Sequence, residues 1–243
     1  MSTIVWHDVE CGGYRADLPL WRELAAAEAG PVLDVGAGAG RVALDLARAG
    51  HDVTALDRDA ELLAELEARA AREGLEVRTE QADAAGFALP GPPFGLIVVP
   101  MQTIQLLPGR AARAAFFASA REHLASGGLV ALAVAEALEP FEVDTAHPLP
   151  PDTAERDGWR YHSFPVAIRR RGDGVVLERV RVLTAPDGTS SSEDDAVALT
   201  TLGASDLEAE GRACGLAPEP ASSNPRPRPR QRRSSIARLP RSA

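Results

Sequence analysis

The stretch "PVLDVGAGAGRVALDLARAG", Pro31 to Gly50, sets three glycines in five residues between an apolar run and a helix-like run. A flexible loop that leaves a buried strand and enters a helix is the opening of a βαβ unit. The same rhythm continues downstream. "HDVTALD" reads as a second strand, and Asp59 to Glu73 as a helix with Leu62, Leu63, Leu66 and Ala70 on one face and Gly74 as its cap. "LEVRTE" and "FGLIVV" read as the third and fourth strands. A helix begins at Pro108, with Phe116, Phe117, Ala120 and Leu124 on its buried side, and "LVALAV" reads as strand five. Such alternation implies right-handed crossovers and a parallel sheet covered on both faces.

Upstream, "LPLWRELAAAE" (Leu18 to Glu28) reads as a short helix. Beyond Glu136 a proline-rich connection leads to three strand-like runs, Trp159 to Arg170, Val175 to Leu183 and Ala196 to Leu202, separated by "RGDG" and "PDG" turns. "GASDLEAEGRACGL" reads as a final helix with Ser205 as N-cap and Glu208 closing a capping box. The expected fold is therefore α/β: a Rossmann-like, doubly wound, mainly parallel sheet with a C-terminal antiparallel β-meander. One domain is expected over residues 1–221, made of an N-terminal segment (1–30), a ligand-binding core (31–135) and an accessory region (136–221).

Residues 222–243, "SSNPRPRPRQRRSSIARLPRSA", hold seven arginines and no acid. The rest of the chain then carries 19 bases against 35 acids, a net −16, which is no footprint for a phosphate backbone. Alternate prolines at 225, 227 and 229 and only two large apolar residues, Ile236 and Leu239, predict a disordered tail and an incomplete sheet edge. The tail reads as a frameshifted version of an original strand, with a basic arm docking an acidic partner as the alternative. The first residues show no export signal, and the longest apolar run, Leu129 to Leu138, is about half a membrane span. Cys11 and Cys214 have no metal-ligand spacing, so no metal is expected. A cytoplasmic protein with neither nucleic-acid nor membrane partner is the expectation.

The loop lies at the carboxyl edge of the expected sheet, where open α/β sheets bind ligands. Gly36 and Gly38 allow close backbone approach, and the helix start offers free N–H groups. Asp57 ends the second strand seventeen residues past Gly40, the place of a carboxylate that holds ribose hydroxyls. Asp83, after the third strand, lies at the same edge. A nucleoside-containing ligand follows. The loop is G-x-G-x-G with Arg41 where a dinucleotide fingerprint has its third glycine. Asp34, two residues before Gly36, would repel a pyrophosphate yet can accept from an α-ammonium group. Both features favour S-adenosylmethionine over NAD.

"VLDVGAGAGRVALDLARAGHDVTALDRD" resembles motif I and the following acidic strand of class I S-adenosylmethionine-dependent methyltransferases. "EQADAAGFAL", "FGLIVVPMQTIQLL" and "HLASGGLVALAV" resemble that family's adenine-side loop, fourth-strand motif and fifth strand, so the likeness is specific over Pro31 to Val134. "YRADLPLW" is similar to the cofactor-covering segment of small-molecule members. The resemblance implies that Asp34 and the Gly36–Ala37–Gly38 backbone hold the methionine end, with Arg41 or Tyr14 near its carboxylate. It implies Asp57 on the ribose hydroxyls, Arg58 beside the adenine, Asp83 facing the adenine amino group, and Ala84 offering backbone. Pro100 to Gln102, with Met101 at the centre, would floor the reactive methyl. Gly95 stands where many members have an acid, a departure expected to matter for packing.

"VPMQ" lacks the Asn/Asp-Pro-Pro-aromatic tetrad of nucleic-acid amino methyltransferases, which points to a small-molecule acceptor. Where a base is needed, His162, Tyr161, His147, His7 and Glu136 are candidates, and "WRYHSF" is the favoured part of an acceptor wall. A homodimer is compatible with the sequence. An NAD(P)-dependent Rossmann oxidoreductase, and a non-catalytic S-adenosylmethionine-binding protein, stand as alternatives. The absence of lysine closes the Tyr-x-x-x-Lys route to the first.

Overall fold

A computed structural model describes residues 3–136, 138–142, 149–223 and 234–241. In chain order the elements are α1 (Thr3–His7, continued by a π-helical turn Asp8–Gly12), α2 (Leu18–Ala27), β1 (Val32–Val35), α3 (Ala43–Arg48), β2 (Val53–Asp57), α4 (Ala60–Glu73) and β3 (Val77–Gln81). There follow β4 (Phe94–Val99), α5 (Thr103–Leu106), α6 (Gly109–His123), β5 (Leu124–Ala135), β6 (Phe141–Glu142), β7 (Asp152–Arg156), β8 (Trp159–Arg171), β9 (Gly174–Thr184) and β10 (Ser190–Thr200). The last are α7 (Ala204–Ala213), β11 (Glu219–Ser223) and β12 (Ser234–Pro240). They form two compact units: Arg15–Ala137 with Leu202–Ala243, and Met1–Tyr14 with Leu138–Thr201.

The larger unit holds a seven-stranded sheet in the order β11-β12-β5-β4-β1-β2-β3. β1 to β5 run parallel, and β4 is buried at every position, as a strand covered on both faces must be. Alternation along the strands feeds two cores. Leu33, Val35, Ile97, Val99, Leu132 and Phe116 enter one, while Val32, Leu96, Val98, Ala131, Trp21 and Leu66 enter the other. α4 starts where the Asp59 carboxylate accepts from the Glu61 and Leu62 amides, and stops at left-handed Gly74. α7 is capped two residues earlier than its sequence suggests, at Gly203 in place of Ser205. The Gly203 amide donates to Asp206 at 2.8 Å, in place of a box built on Ser205 and Glu208. A Cβ at Gly95 would overlap the Ala29 carbonyl, so packing alone forbids an acid there.

The tail departs from expectation. Ser234–Pro240 is a strand, antiparallel to β5 over seven residue pairs, and β11 pairs with its other side. Residues 224–233, with the alternate prolines, lie outside the described residues. Three residues of "SIARLP" fill the cores on its two faces: Ile236 enters one, Ala237 and Leu239 the other, all fully buried. The reading of 222–243 as wholly disordered, with an incomplete sheet edge, is therefore corrected. β12 supplies the strand that the frameshift reading took as lost, and it sits inside the sheet and not at its edge.

The smaller unit is an antiparallel sheet ordered β10-β9-β8, with β6 and β7 both on the free side of β8. The meander is longer than its sequence signature, because β9 and β10 pair without interruption over eleven residues. Glu10, buried in the π-helical turn, accepts from Ser163 Oγ at 2.8 Å and from Arg181 at 2.8 and 2.9 Å, with Arg179 at 3.2 Å. These partners hold its carboxyl below the usual range despite burial.

Candidate functional site

β1, β2, β3 and β4 end at one edge of the main sheet, and the chain turns back on either side of β1. The loops after these strands, residues 36–42, 58–59, 82–86 and 100–102, therefore gather at the crevice such a reversal creates.

Asp34 lies one residue before the end of β1, paired with Ala55 and Val98 in register, and is 1% exposed. Neither of its carboxylate oxygens makes a hydrogen bond of ordinary geometry, and the Ala43 amide favours its charged form only weakly against burial. Desolvation pushes its carboxyl up to about 7; the Arg41 charge and the Ala43 amide oppose the rise, and Asp57 and Asp17 add to it. A buried carboxyl left this way costs stability unless something brings it donors.

The glycine loop is folded as its sequence requires. Gly36 (φ 73°) and Gly38 (φ 54°) are both left-handed, and a Cβ on Gly36 would run into the Thr103 side chain. The amides of Gly36 and Ala37 donate to the Leu56 carbonyl at 2.8 and 3.1 Å, which locks the loop against β2. Asp57 is held from two sides. Its Oδ2 accepts from the Gly38 amide at 2.8 Å and its Oδ1 from the Asp59 amide at 3.0 Å. The carboxylate is thus oriented before any ligand arrives, with lone pairs left over.

Asp83 is exposed, and its Oδ1 accepts from the Ala85 amide at 2.8 Å in an Asx turn. The Ala82 amide donates to the Asp57 carbonyl at 3.0 Å, so Asp83 and half-buried Ala84 stand on a loop stitched to the end of β2. Arg58 is exposed, its carbonyl accepting from Gln81 Nε2 at 3.2 Å. Met101 has φ 56°, a left-handed conformation costly for a side chain of its kind. That strain sits where the floor of the site was expected. Thr103 Oγ1 donates to the Pro100 carbonyl at 2.9 Å, which fixes the turn.

Several residues have structural partners that the sequence did not reveal. The Arg41 side chain is 7% exposed and bonded to Asp17, Nη1 to Oδ1 at 2.6 Å and Nη2 to Oδ2 at 2.9 Å, a partner the sequence did not reveal. Glu136 accepts from the Ala204 amide at 3.0 Å and so caps α7, which is a structural task. Gln105, also missed, is 1% exposed and exchanges two hydrogen bonds with the Ala135 backbone at 2.8 and 3.2 Å, tying α5 to the end of β5. Its only signal in sequence was a polar residue between apolar neighbours.

The remaining candidates belong to the smaller unit. Tyr14 closes its N-terminal segment, its amide donating to the Cys11 carbonyl at 3.3 Å. "WRYHSF" does not form a single wall. Strand alternation sends Tyr161 and Ser163 to one face of β8, and His162 and Phe164 to the other. Tyr161 meets Trp6 edge-on at 5.5 Å, and His162 meets Phe164 at 6.0 Å. His7 ends α1, and His147 lies outside the described residues.

Residues 32–128 match the family model of a methyltransferase domain. No curated protein matches by sequence. Among solved structures, DesVI of Streptomyces venezuelae is 21% identical, with 100% of this chain and 99% of that chain covered at a TM-score of 0.74. The sugar N-methyltransferase KedS8 from Streptoalloteichus sp ATCC 53650 is 20% identical over 100% of this chain and 94% of that one, TM-score 0.77. CalS10, an S-adenosylmethionine-bound amino pentose methyltransferase from Micromonospora echinaspora involved in calicheamicin biosynthesis, is 19% identical over 100% and 98%, TM-score 0.73.

Proposed function

We propose, from the premise that the chain carries a methyltransferase domain within a class I methyltransferase fold, that it moves a methyl group from S-adenosylmethionine to a small-molecule acceptor. The observation that carries this reading is Asp34: a buried carboxylate with no hydrogen bond of ordinary geometry, beside a glycine loop and a pre-oriented Asp57. An α-ammonium group would satisfy Asp34, and ribose hydroxyls would take the remaining lone pairs of Asp57. Asp83 and Ala84 would border the adenine, with Arg58 beside it, and the strained turn at Met101 would floor the methyl end. A pyrophosphate brought next to Asp34 would meet repulsion, which disfavours the nicotinamide alternative.

When bound, the cofactor would supply an electrophilic methyl on a sulfonium, to which an acceptor lone pair would bond as the carbon–sulfur bond breaks, with S-adenosylhomocysteine as the leaving group. The chain's own contribution is to hold the partners in line and to keep water out of the crevice. Glu136 caps α7; His162 and Tyr161, one on each face of β8, are the first base candidates to test by substitution. The named activities of the solved relatives make amino sugars the first acceptors to try. We place the reaction in the cytoplasm, with the homodimer to be tested by sedimentation.

Calorimetry with S-adenosylmethionine, S-adenosylhomocysteine and NAD tests the cofactor. Micromolar binding of the first two and none of NAD is expected; the reverse order overturns the reading. Methyl transfer to any member of a panel of small amines and alcohols then separates an enzyme from a non-catalytic binder.

A further inference from the structure

The Asp17–Arg41 pair is a built feature that the function above does not use. Asp17 is 1% exposed, and its two oxygens take both terminal nitrogens of Arg41 while Oδ2 also accepts from Trp21 Nε1 at 2.9 Å. The pair joins the start of α2 to the residue that follows the glycine loop. Arg41 is also the strongest charge acting on Asp34. The Arg41 side chain, 7% exposed, is thus bonded to one buried carboxylate, Asp17, and acts through its charge on a second, Asp34, whose oxygens make no hydrogen bond of ordinary geometry.

A guanidinium and an unpaired carboxylate in the same buried region should collapse onto each other, because an ion pair offsets the desolvation of both. They do not collapse here, since Asp17 already satisfies Arg41 in a bidentate geometry that is hard to better. The geometry points to Asp17 as a positioning residue for the cofactor: by closing a buried pair with Arg41 it keeps Arg41 off Asp34, and so reserves the Asp34 carboxylate for an α-ammonium group. This rests on the function proposed above. It adds a residue outside the loops at the strand ends, acting through the charge it removes from them. The charged groups acting on Asp34 are Arg41 after the glycine loop, Asp57 from β2 and Asp17 before α2, so removing the Asp17 charge alters the balance in one direction. Arg41 becomes available to Asp34 and competes with the cofactor's cation.

The test is Asp17→Asn, which retains an acceptor for Trp21 Nε1 and releases Arg41. Two probes are titrated calorimetrically at pH 8: S-adenosylhomocysteine, which has the α-ammonium group, and 5′-methylthioadenosine, which lacks it. The variant should bind S-adenosylhomocysteine at least tenfold more weakly and 5′-methylthioadenosine as the wild type does. The pH at which S-adenosylhomocysteine affinity reaches its plateau should move downward, because a nearer Arg41 favours the ionised Asp34. The double variant Asp17→Asn, Arg41→Met has no guanidinium to compete and should recover most of the lost affinity, which also covers the case where the single variant folds poorly. Equal weakening of both probes, unchanged S-adenosylhomocysteine affinity, or no recovery in the double variant each overturns the inference. A wild-type chain that binds neither probe overturns the proposed function itself, an outcome distinct from these.

Discussion

At the scale of single residues, the candidate site trades stability for readiness. Asp34 has its folded carboxyl raised from 3.8 to about 7 by burial. The folded chain therefore keeps a proton that the unfolded chain has lost between about pH 4 and pH 7. The associated stability is fully present at low pH, declines as pH rises through that window, and is gone above 7. The whole shift corresponds to about 4 kcal/mol at 1.36 kcal/mol per unit. Asp34→Asn should raise the melting temperature by several degrees at pH 8, much less at pH 5, and abolish S-adenosylhomocysteine binding; equal melting curves for the two proteins at pH 8 would contradict this account. Asp57 behaves differently, because the Gly38 and Asp59 amides already support it. Asp57→Ala should weaken S-adenosylhomocysteine about tenfold or more through lost charge-assisted hydrogen bonds. Calorimetry reads this directly, and unchanged affinity would remove Asp57 from the site.

At the scale of elements, what could be read ahead was whatever a short stretch decides for itself. The α4 stripe and its Gly74 cap, the buried β4 and the left-handed glycines after β1 follow from local periodicity and sterics, and the structure has them. Features decided by distant neighbours were not legible. Asp17 looks like any acid before a helix, and only the fold brings Arg41 onto it. Glu136 looks like a spare base until α7, 68 residues on, presents the Ala204 amide to it. "WRYHSF" looks like one patch because adjacency in sequence hides the alternation of a strand. Gly95 is the instructive intermediate case. Its sequence showed a departure, and the Ala29 carbonyl supplies the reason. Gly95→Ala must push two backbones apart at the start of a central strand. A loss of about 2 kcal/mol or more is expected in urea unfolding, and a variant as stable as the wild type would mean that Ala29 and Gly30 yield at little cost.

At the scale of the whole molecule, the main sheet depends on its last strand. Strand character at Ser234–Pro240 does not come from its own composition, which is poor in β-branched residues and next to an arginine-rich run. It comes from the slot between β5 and β11, which offers paired backbone on both sides and a core on both faces. That is why composition pointed to disorder while the fold contains a strand. Two consequences can be measured. Leu239 is fully buried against the α6 and α7 side of the sheet, so Leu239→Ala should cost about 2–5 kcal/mol by transfer and cavity terms. Stopping the chain after Arg233 removes all of β12 and exposes the edge of β5 from Leu129 to Ala135, an apolar strand with no charge to block edge-to-edge pairing. β11 would lose its partner as well. The shortened protein should aggregate on expression and fail to give a cooperative melt, and recovery of a monodisperse protein that still binds S-adenosylhomocysteine would show that the sheet is complete at β5 and that β12 is an addition to it.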